Sequence, residues 1–329
     1  MTPFVIPEIA ELMTRLSDRH YPLSRARELE TAFARLFSRH LGSLRGGRRF
    51  ETECLLVTGP SGSGKTREIA DLLHRFNESG LALPDGRPAR IIECVLDSKG
   101  GWKDLGRKTL HAMGYPVPAS SRQTQAEIWE RVVGHARLQG IVGIHYDEAQ
   151  HILRSRNESG RLTILDAFKT LMKSHDWPLM LILSGVPELT GYIQEEPQLH
   201  RLVTHLRFAD IDLSAEPDGG IAPDYNTIHE IVGSYAMAAG LEAGDQLRTE
   251  GFYHSLATGA AFRWGNLIKL TFDAAALAAE AGAKILTSEH FIEVWVEKTG
   301  MNRAATPFTH EGYRTLFRKD KPFQAAIET

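Results

Sequence analysis

The chain is poor in cysteine: Cys54 and Cys94 are the only two in 329 residues, and each sits inside an apolar run that reads as a strand. That usage excludes a disulfide framework and a zinc cluster, and suits free core thiols of a reducing compartment. No apolar run approaches the ~20 residues of a membrane-spanning helix. The start, Met1-Thr2-Pro3-Phe4-Val5-Ile6-Pro7-Glu8, lacks the basic region and long apolar core of a signal peptide. A cytoplasmic protein with no membrane partner is expected. An excess of either charge is also missing. With 38 Lys and Arg against 41 Asp and Glu, the net charge is −3, so any nucleic-acid contact has to come from local patches or from subunits arrayed together. The 42% apolar and 24% charged residues are ordinary for a protein with a real core. The length suits about two domains, and no internal repeat or long low-complexity segment appears.

What is present centres on Gly59-Pro60-Ser61-Gly62-Ser63-Gly64-Lys65-Thr66. The apolar run Cys54–Thr58 precedes it, and helical spacing from Arg67 to Phe76 follows it. This is the G-x-x-x-x-G-K-[ST] pattern in its strand–loop–helix setting. Glycines let backbone N–H groups turn around the β- and γ-phosphates, and the helix start adds free donors and a favourable dipole. Lys65 would reach the phosphates and the Thr66 hydroxyl would take a Mg²⁺ position. ATP and Mg²⁺ are therefore the expected cofactors.

Apolar residues at helical spacing mark Ile9–Leu16 and Ser24–Leu41, with Ser24 a candidate N-cap. The break Arg19-His20-Tyr21-Pro22-Leu23 reads either as an adenine-facing segment or as a plain helix–helix turn. Further strands are expected at Ile91–Leu96, Ile141–Tyr146, Leu179–Leu183 and Leu206–Leu213, alternating with helices to about Met113, over Gln123–Leu138 and over Leu162–Ser174. Such alternation predicts an α/β fold, a parallel five-stranded sheet flanked by helices. From Asp224 only helical patterns follow: Thr227–Ala239, Gln246–Ala257, Gly265–Glu280 and Ser288–Thr299. The expected organisation is a helical segment over 1–50, an α/β nucleotide-binding domain over 51–215, a small all-helical lid over 216–300, and an extended tail over 301–329. The tail interleaves Phe308, Tyr313, Phe317 and Phe323 with Arg314, Arg318 and Lys319 and is expected to contact a partner protein. Its deletion is expected to spare ATP binding and oligomers.

Several side chains are candidates for chemistry. Asp147-Glu148 closes the third strand, about eighty residues after the glycine-rich loop. There Asp147 would hold Mg²⁺, and Glu148 would polarise the attacking water as general base. The alternative is an acidic pair capping the next helix. Ser184 at the tip of the fourth strand would sense the γ-phosphate, or simply end a strand. Gln150 and His151 would touch the same water or a neighbouring subunit; His151 reads first as a solvated or capping residue. Phosphoryl transfer develops charge that a guanidinium neutralises well. Arg201, before the last strand, is the candidate to do so from an adjacent subunit, with Arg207 its competitor and a surface salt bridge the bland option. Arg263, at the start of a lid helix, would fold over the nucleotide, while its neighbour Trp264 reads as core.

Taken together, Gly59–Thr66, Asp147-Glu148, Ser184-Gly185-Val186-Pro187-Glu188 and the helical end resemble an AAA+ ATPase. More narrowly, the chain resembles TniB and TnsC, the ATP-dependent regulators of DNA transposition, from about Ser24 to Gly300. The narrower likeness rests on the Ser-Gly-Val-Pro-Glu-Leu strand end, the bare helical lid and the short tail with Thr306-Pro307-Phe308. It implies a P-loop AAA+ core that oligomerises with itself on double-stranded DNA when ATP is bound. It also implies a link between a target-selection protein and a transposase, which hydrolysis resets. By the same resemblance Lys99, Lys103 and Arg122 would touch the DNA backbone, positioning without reading bases; a solvated helix face is the alternative. Two features depart from the pattern: the chain is not basic overall, and Arg201 stands alone where relatives often pair arginines.

Competing readings are a P-loop small-molecule kinase, another AAA+ remodeller such as an initiator or helicase loader, and a nucleotide-gated scaffold. No substrate-side site for a kinase is visible. Initiators usually append a winged-helix domain, for which the thirty or so residues after Gly300 leave no room.

Overall fold

The computed structural model describes residues 4–96, 101–118, 123–154, 156–214, 222–320 and 323. It divides into two compact units, one of Ser24–Ser61 and Lys65–Phe208, the other of Met1–Leu23, Gly62–Gly64 and Ala209–Thr329. Residues 1–50, expected as one segment, are thus shared out between the two.

The α/β unit begins with α2 (Ser24–Gly46), since α1 (Pro7–Ser17) belongs to the other unit. Its order continues β1 (Cys54–Thr58), α3 (Lys65–Glu78), β2 (Arg90–Val95), α4 (Trp102–Ala112), α5 (Gln125–Gln139), β3 (Ile141–Asp147), α6 (Gln150–Arg154), α7 (Glu158–Met172), β4 (Met180–Gly185), α8 (Leu189–Gln194), α9 (Pro197–His200) and β5 (Val203–Arg207). The five strands are parallel in the order β2-β3-β4-β1-β5. Central strands β1, β3 and β4 are buried along their whole length, which is why they read as continuous apolar runs rather than as alternating ones.

The fifth strand lies three residues earlier than the alternation Leu206–Leu213 suggests. Pairing with β1 decides it, because Cys54 to Thr58 offer only five partners, Val203 to Arg207. Beyond them Phe208 N adds one bond to Thr58 O at 2.7 Å, and the chain then leaves the sheet.

Packing of α2 on α3 is aromatic. Phe76 meets Phe33 and Phe37 edge-on at 5.1 and 4.9 Å. Near the end of α2, His40 is buried, with Nδ1 3.1 Å from Thr52 Oγ1. Burial penalises its charged form and lowers its pKa from 6.5 to about 4. The unfolded chain therefore binds this proton first as pH falls. His40 costs nothing above pH 6.5 and destabilises progressively between 6.5 and 4. Denaturant melts should show about 2 kcal/mol lost by about pH 5 from this residue. In His40→Gln that part of the slope should vanish; an unchanged slope would place the titrating group elsewhere.

The helical unit holds α1, α10 (Pro223–Ala238), β6 (Glu242–Ala243), α11 (Glu250–Gly259), α12 (Trp264–Glu280), β7 (Ile285–Leu286), α13 (Ser288–Thr299) and α14 (Tyr313–Leu316). It is not wholly helical: β6 and β7 form a two-residue parallel pair, too short to leave a period in the sequence. Leu12 and Leu16 of α1 join Ile228, Leu256, Leu267, Phe291 and Trp295 in one core. The Arg19–Leu23 stretch is fastened here, with Tyr21 Oη donating to Glu230 and Tyr235 Oη to Arg19 O at 3.1 Å.

The described part of the tail, 301–320 and 323, is not extended. Phe308 packs on Phe252 and Phe291 at 5.9 and 5.8 Å, while Phe317 and Phe323 flank Trp295 at 5.5 and 5.4 Å. Interleaved with charge, these aromatics show no helical or strand period, yet they cover the unit's core. Among the described residues no helix is long and apolar enough to cross a membrane.

Candidate functional site

Parallel strands deliver their following loops to one pole of a sheet, and here the candidate residues gather at the carboxyl ends. The loop after β1 turns through Gly62 and Gly64 at φ +80° and +95°, a left-handed backbone that favours glycine. It feeds the first turn of α3. Lys65 is buried, and its Nζ donates to Gly59 O at 2.8 Å and Pro60 O at 3.2 Å. The ammonium is thereby held at the loop rather than extended along the helix.

Thr66 Oγ1 donates to Asp147 Oδ2 at 3.0 Å, which sets the two proposed metal-holding oxygens side by side. Asp147 is itself buried, and its Oδ1 accepts from Glu148 N at 3.0 Å and Ser184 Oγ at 2.5 Å. One hydroxyl, one carboxylate and phosphate oxygens are the donor set Mg²⁺ commonly takes, with water completing its octahedron. Among the described residues no group of three or more His, Cys, Asp or Glu forms a metal site. The Thr66 and Asp147 oxygens fit Mg²⁺ bound together with a nucleotide.

Glu148 leaves the strand at φ +53°, a conformation non-glycine residues adopt rarely and mostly at constrained sites. Its carboxylate accepts from Gln150 Nε2 and lies 3.5 Å from His151 Nε2. Gln150 is buried and reaches across to β4, where its Oε1 accepts from Val186 N at 3.3 Å. Space for it exists because residue 185 is glycine: a Cβ there would lie 2.1 Å from Gln150 Oε1. Gly185→Ala would displace that amide and press on buried Leu189, whose Cδ2 would lie 3.0 Å from the added Cβ, so it should lose some stability as well as free Glu148. We expect kcat to fall about tenfold with nucleotide affinity retained; an unchanged kcat would show that Gln150 does not hold the base.

Sequence reasoning missed His145. It is fully buried on β3, with Nε2 2.8 Å from Ser184 Oγ and Nδ1 3.3 Å from Glu93 Oε2 on β2. Since the Ser184 hydroxyl proton goes to Asp147, His145 Nε2 must carry the hydrogen it shares with Ser184. Three adjacent strands are thus wired to one carboxylate. The signal was an imidazole in an otherwise apolar strand, two residues before the acidic pair.

The two arginine candidates of the α/β unit lie at opposite poles. Arg207 pairs in register with Thr58, next to the glycine-rich loop. Arg201 caps α9 before β5, at the amino end of the sheet, and pairs with Glu51 at 2.8 Å. Five strand residues at ~3.3 Å each put Arg201 about 17 Å from its own loop. In the helical unit Arg263 is the N-cap of α12, and its Nη1 donates to Asp210 Oδ1 at 2.5 Å. The turn before it strains Ala261 and Phe262 to φ +52° and +60°. Trp264 is buried in the core. Lys103, on the first turn of α4, lies 5.3 Å from the Trp102 ring, while Lys99 and Arg122 fall outside the described residues.

Both thiols are buried and free. Burial pushes Cys94 up to about 11 and Cys54 higher still, so neither is a nucleophile near neutral pH.

Residues 48–193 match the family model described as AAA domain. None of the curated proteins matches the sequence. Among solved structures, ORC2 of Aeropyrum pernix, in ADPNP–ADP complexes, has a TM-score of 0.56 at 15% identity, covering 88% of this chain and 72% of that one. Cdc6p of Pyrobaculum aerophilum gives 0.57 at 15%, covering 86% and 70%. ORC1 of Aeropyrum pernix, in complex with DNA, gives 0.55 at 16%, covering 87% and 69%. At such identities the likeness establishes the fold, which is that of the AAA+ P-loop ATPases.

Proposed function

We propose that this chain is an ATP-hydrolysing assembly factor of DNA transposition. It would bind ATP with Mg²⁺, oligomerise on double-stranded DNA, link a target-selection protein to a transposase, and reset by hydrolysis. The observation that carries the reading is the polar separation of the site. The loop, Asp147 and Glu148 sit at one end of the sheet and Arg201 at the other, an arrangement that would let Arg201 serve a second subunit's phosphates but not its own.

In that reading the Gly59–Thr66 loop and Lys65 bind the phosphates, and Thr66 and Asp147 hold Mg²⁺, which neutralises phosphate charge. Glu148, held by Gln150, takes the proton of the attacking water. Ser184, held by His145, keeps Asp147 aimed at the metal position. Arg263, parked on Asp210, is the proposed nucleotide sensor of the helical unit. Lys103, with Lys99 and Arg122, is proposed to touch DNA phosphates, and the fold likeness to an ORC1 solved with DNA supports DNA as the partner. The Ser184–Leu189 strand end and the short tail supply the narrower transposition reading.

The ORC and Cdc6 likenesses favour a second reading, an initiator- or loader-type ATPase. Electron microscopy with duplex DNA, in ATP or a slow analogue and then in ADP, tests the assembly. Rings or filaments restricted to the ATP state are expected, and adding a transposase should give co-assembly. Monomers in every state end the proposal, and assemblies that ignore the transposase favour the second reading.

A further inference from the structure

The loops entering β1, β2, β3 and β4 converge at the amino pole of the α/β unit, opposite the nucleotide loop. Between them runs a groove of about 510 Å³ lined by Arg48, Arg49, Arg87 and Arg137. Its scaffold is rigid: Trp177 Nε1 donates to Ile141 O at 2.6 Å, Arg87 stacks on the Trp177 ring at 5.6 Å, and Arg87 Nη1 also donates to Arg137 O. Of the acidic groups in the lining, Asp85 is paired with Arg87, and the exposed Asp176 lies 3.5 Å from His175. Arg48, Arg49 and Arg137 are exposed and have no side-chain partner among the described residues. In a chain of net charge −3, three such guanidinium groups around one groove are a concentrated site for carboxylates, which their planar forks bind bidentately.

The groove is not only basic. Leu44 and Phe50 line it half-buried, with Pro178 buried between the loops. Past Arg137 and His175 it opens into a larger furrow, about 870 Å³, between α5 and α7. There Val133 and Gly134 form part of the lining, and a Cβ on Gly134 would meet nothing within 4 Å. A phosphate backbone would leave these apolar surfaces unused, and Trp177 has no free face for a base. A peptide would use both features, its carboxylates the guanidinium groups and an apolar side chain the half-buried Leu44 and Phe50.

We infer that this groove is the docking site for an extended acidic peptide segment of a partner protein, carrying one large apolar side chain among its carboxylates. The inference goes beyond the proposed function and does not depend on it.

Fluorescence anisotropy on the full chain tests it with a labelled Glu-Asp-Phe-Glu-Asp-Leu peptide, its Gln-Asn-Phe-Gln-Asn-Leu counterpart and a short oligo-dT strand as probes. The acidic peptide should bind about tenfold or more tighter than the neutral one. The Arg48→Glu/Arg49→Glu double variant, whose sites are exposed and should leave the melting temperature unchanged, should remove that advantage. Serine in place of the peptide's Phe should weaken binding several-fold. Equal binding of the two peptides, or a charge reversal without effect, would overturn the proposal. So would oligo-dT binding that exceeds the peptide's and is lost with the same arginines, which would make the groove a nucleic-acid site.

Discussion

Glu148→Gln is expected to lower steady-state hydrolysis by roughly 10²–10⁴-fold, the usual contribution of a positioned general base, while leaving nucleotide affinity nearly unchanged. The amide keeps the size of the carboxylate and can still meet Gln150 at the end of β3. In the proposed mechanism phosphate binding would depend on Lys65 and the glycine-rich loop, and metal holding on Thr66 and Asp147, none of which the substitution touches. What is lost is the ability to take a proton from water. Assemblies formed with ATP should therefore persist, and their lifetime on DNA by single-molecule imaging should lengthen in proportion to the lost rate. A variant that hydrolyses at the parent rate would remove Glu148 from the mechanism. One that stays inactive but dissociates as fast as the parent would describe a nucleotide-gated scaffold instead.

Arg201→Ala is expected to cost little stability and most of the activity. Its ion pair with Glu51 is exposed on both sides, and such pairs contribute about 0–1 kcal/mol. Glu51 also keeps Lys173 at 3.2 Å, so the carboxylate is not stranded. A guanidinium supplied across an interface, by contrast, accounts for about 10³–10⁵ in rate where it has been removed. The decisive arm is a mixture. Lys65→Ala subunits lack a working nucleotide site but carry Arg201; Arg201→Ala subunits have the opposite defect. Each alone should be inactive, and mixed they should recover part of the activity, because one donates the arginine to the other's site. Arg201→Ala with parent activity would pass the role to Arg207. A mixture that co-assembles yet stays inactive would mean that Arg201 does not act across the interface.

Much of this was legible in the sequence, for identifiable reasons. Gly59–Thr66 and Asp147-Glu148 could be placed because the chemistry fixes residue types at fixed offsets and buried parallel strands read as unbroken apolar runs. The fifth strand slipped because an edge strand, burying little, carries a weak pattern and takes its register from β1. His145 and Asp210 stayed hidden, as did the reach of Gln150 to the end of β4, for a different reason. Each matters through a partner distant in sequence: His145 meets Ser184 thirty-nine residues on, Gln150 meets Val186 thirty-six residues on, and Asp210 meets Arg263 fifty-three residues on. No local pattern reports such meetings. The tail misled because its aromatics serve a surface built by other helices.

The helical unit draws on both ends of the chain, and that has a consequence for its birth on the ribosome. Leu12 and Leu16 leave the exit tunnel early, yet the residues they pack against begin at Ile211, about two hundred residues later, which is roughly 10–40 s of synthesis at ~5–20 residues per second. The α/β unit, encoded almost entirely between Ser24 and Phe208, is completed within that interval. The amphipathic α1 meanwhile has no core to join. Closure comes only when Phe308, Phe317 and Phe323 arrive over Phe252, Phe291 and Trp295, so residues made after the α/β unit seal the core that α1 joins.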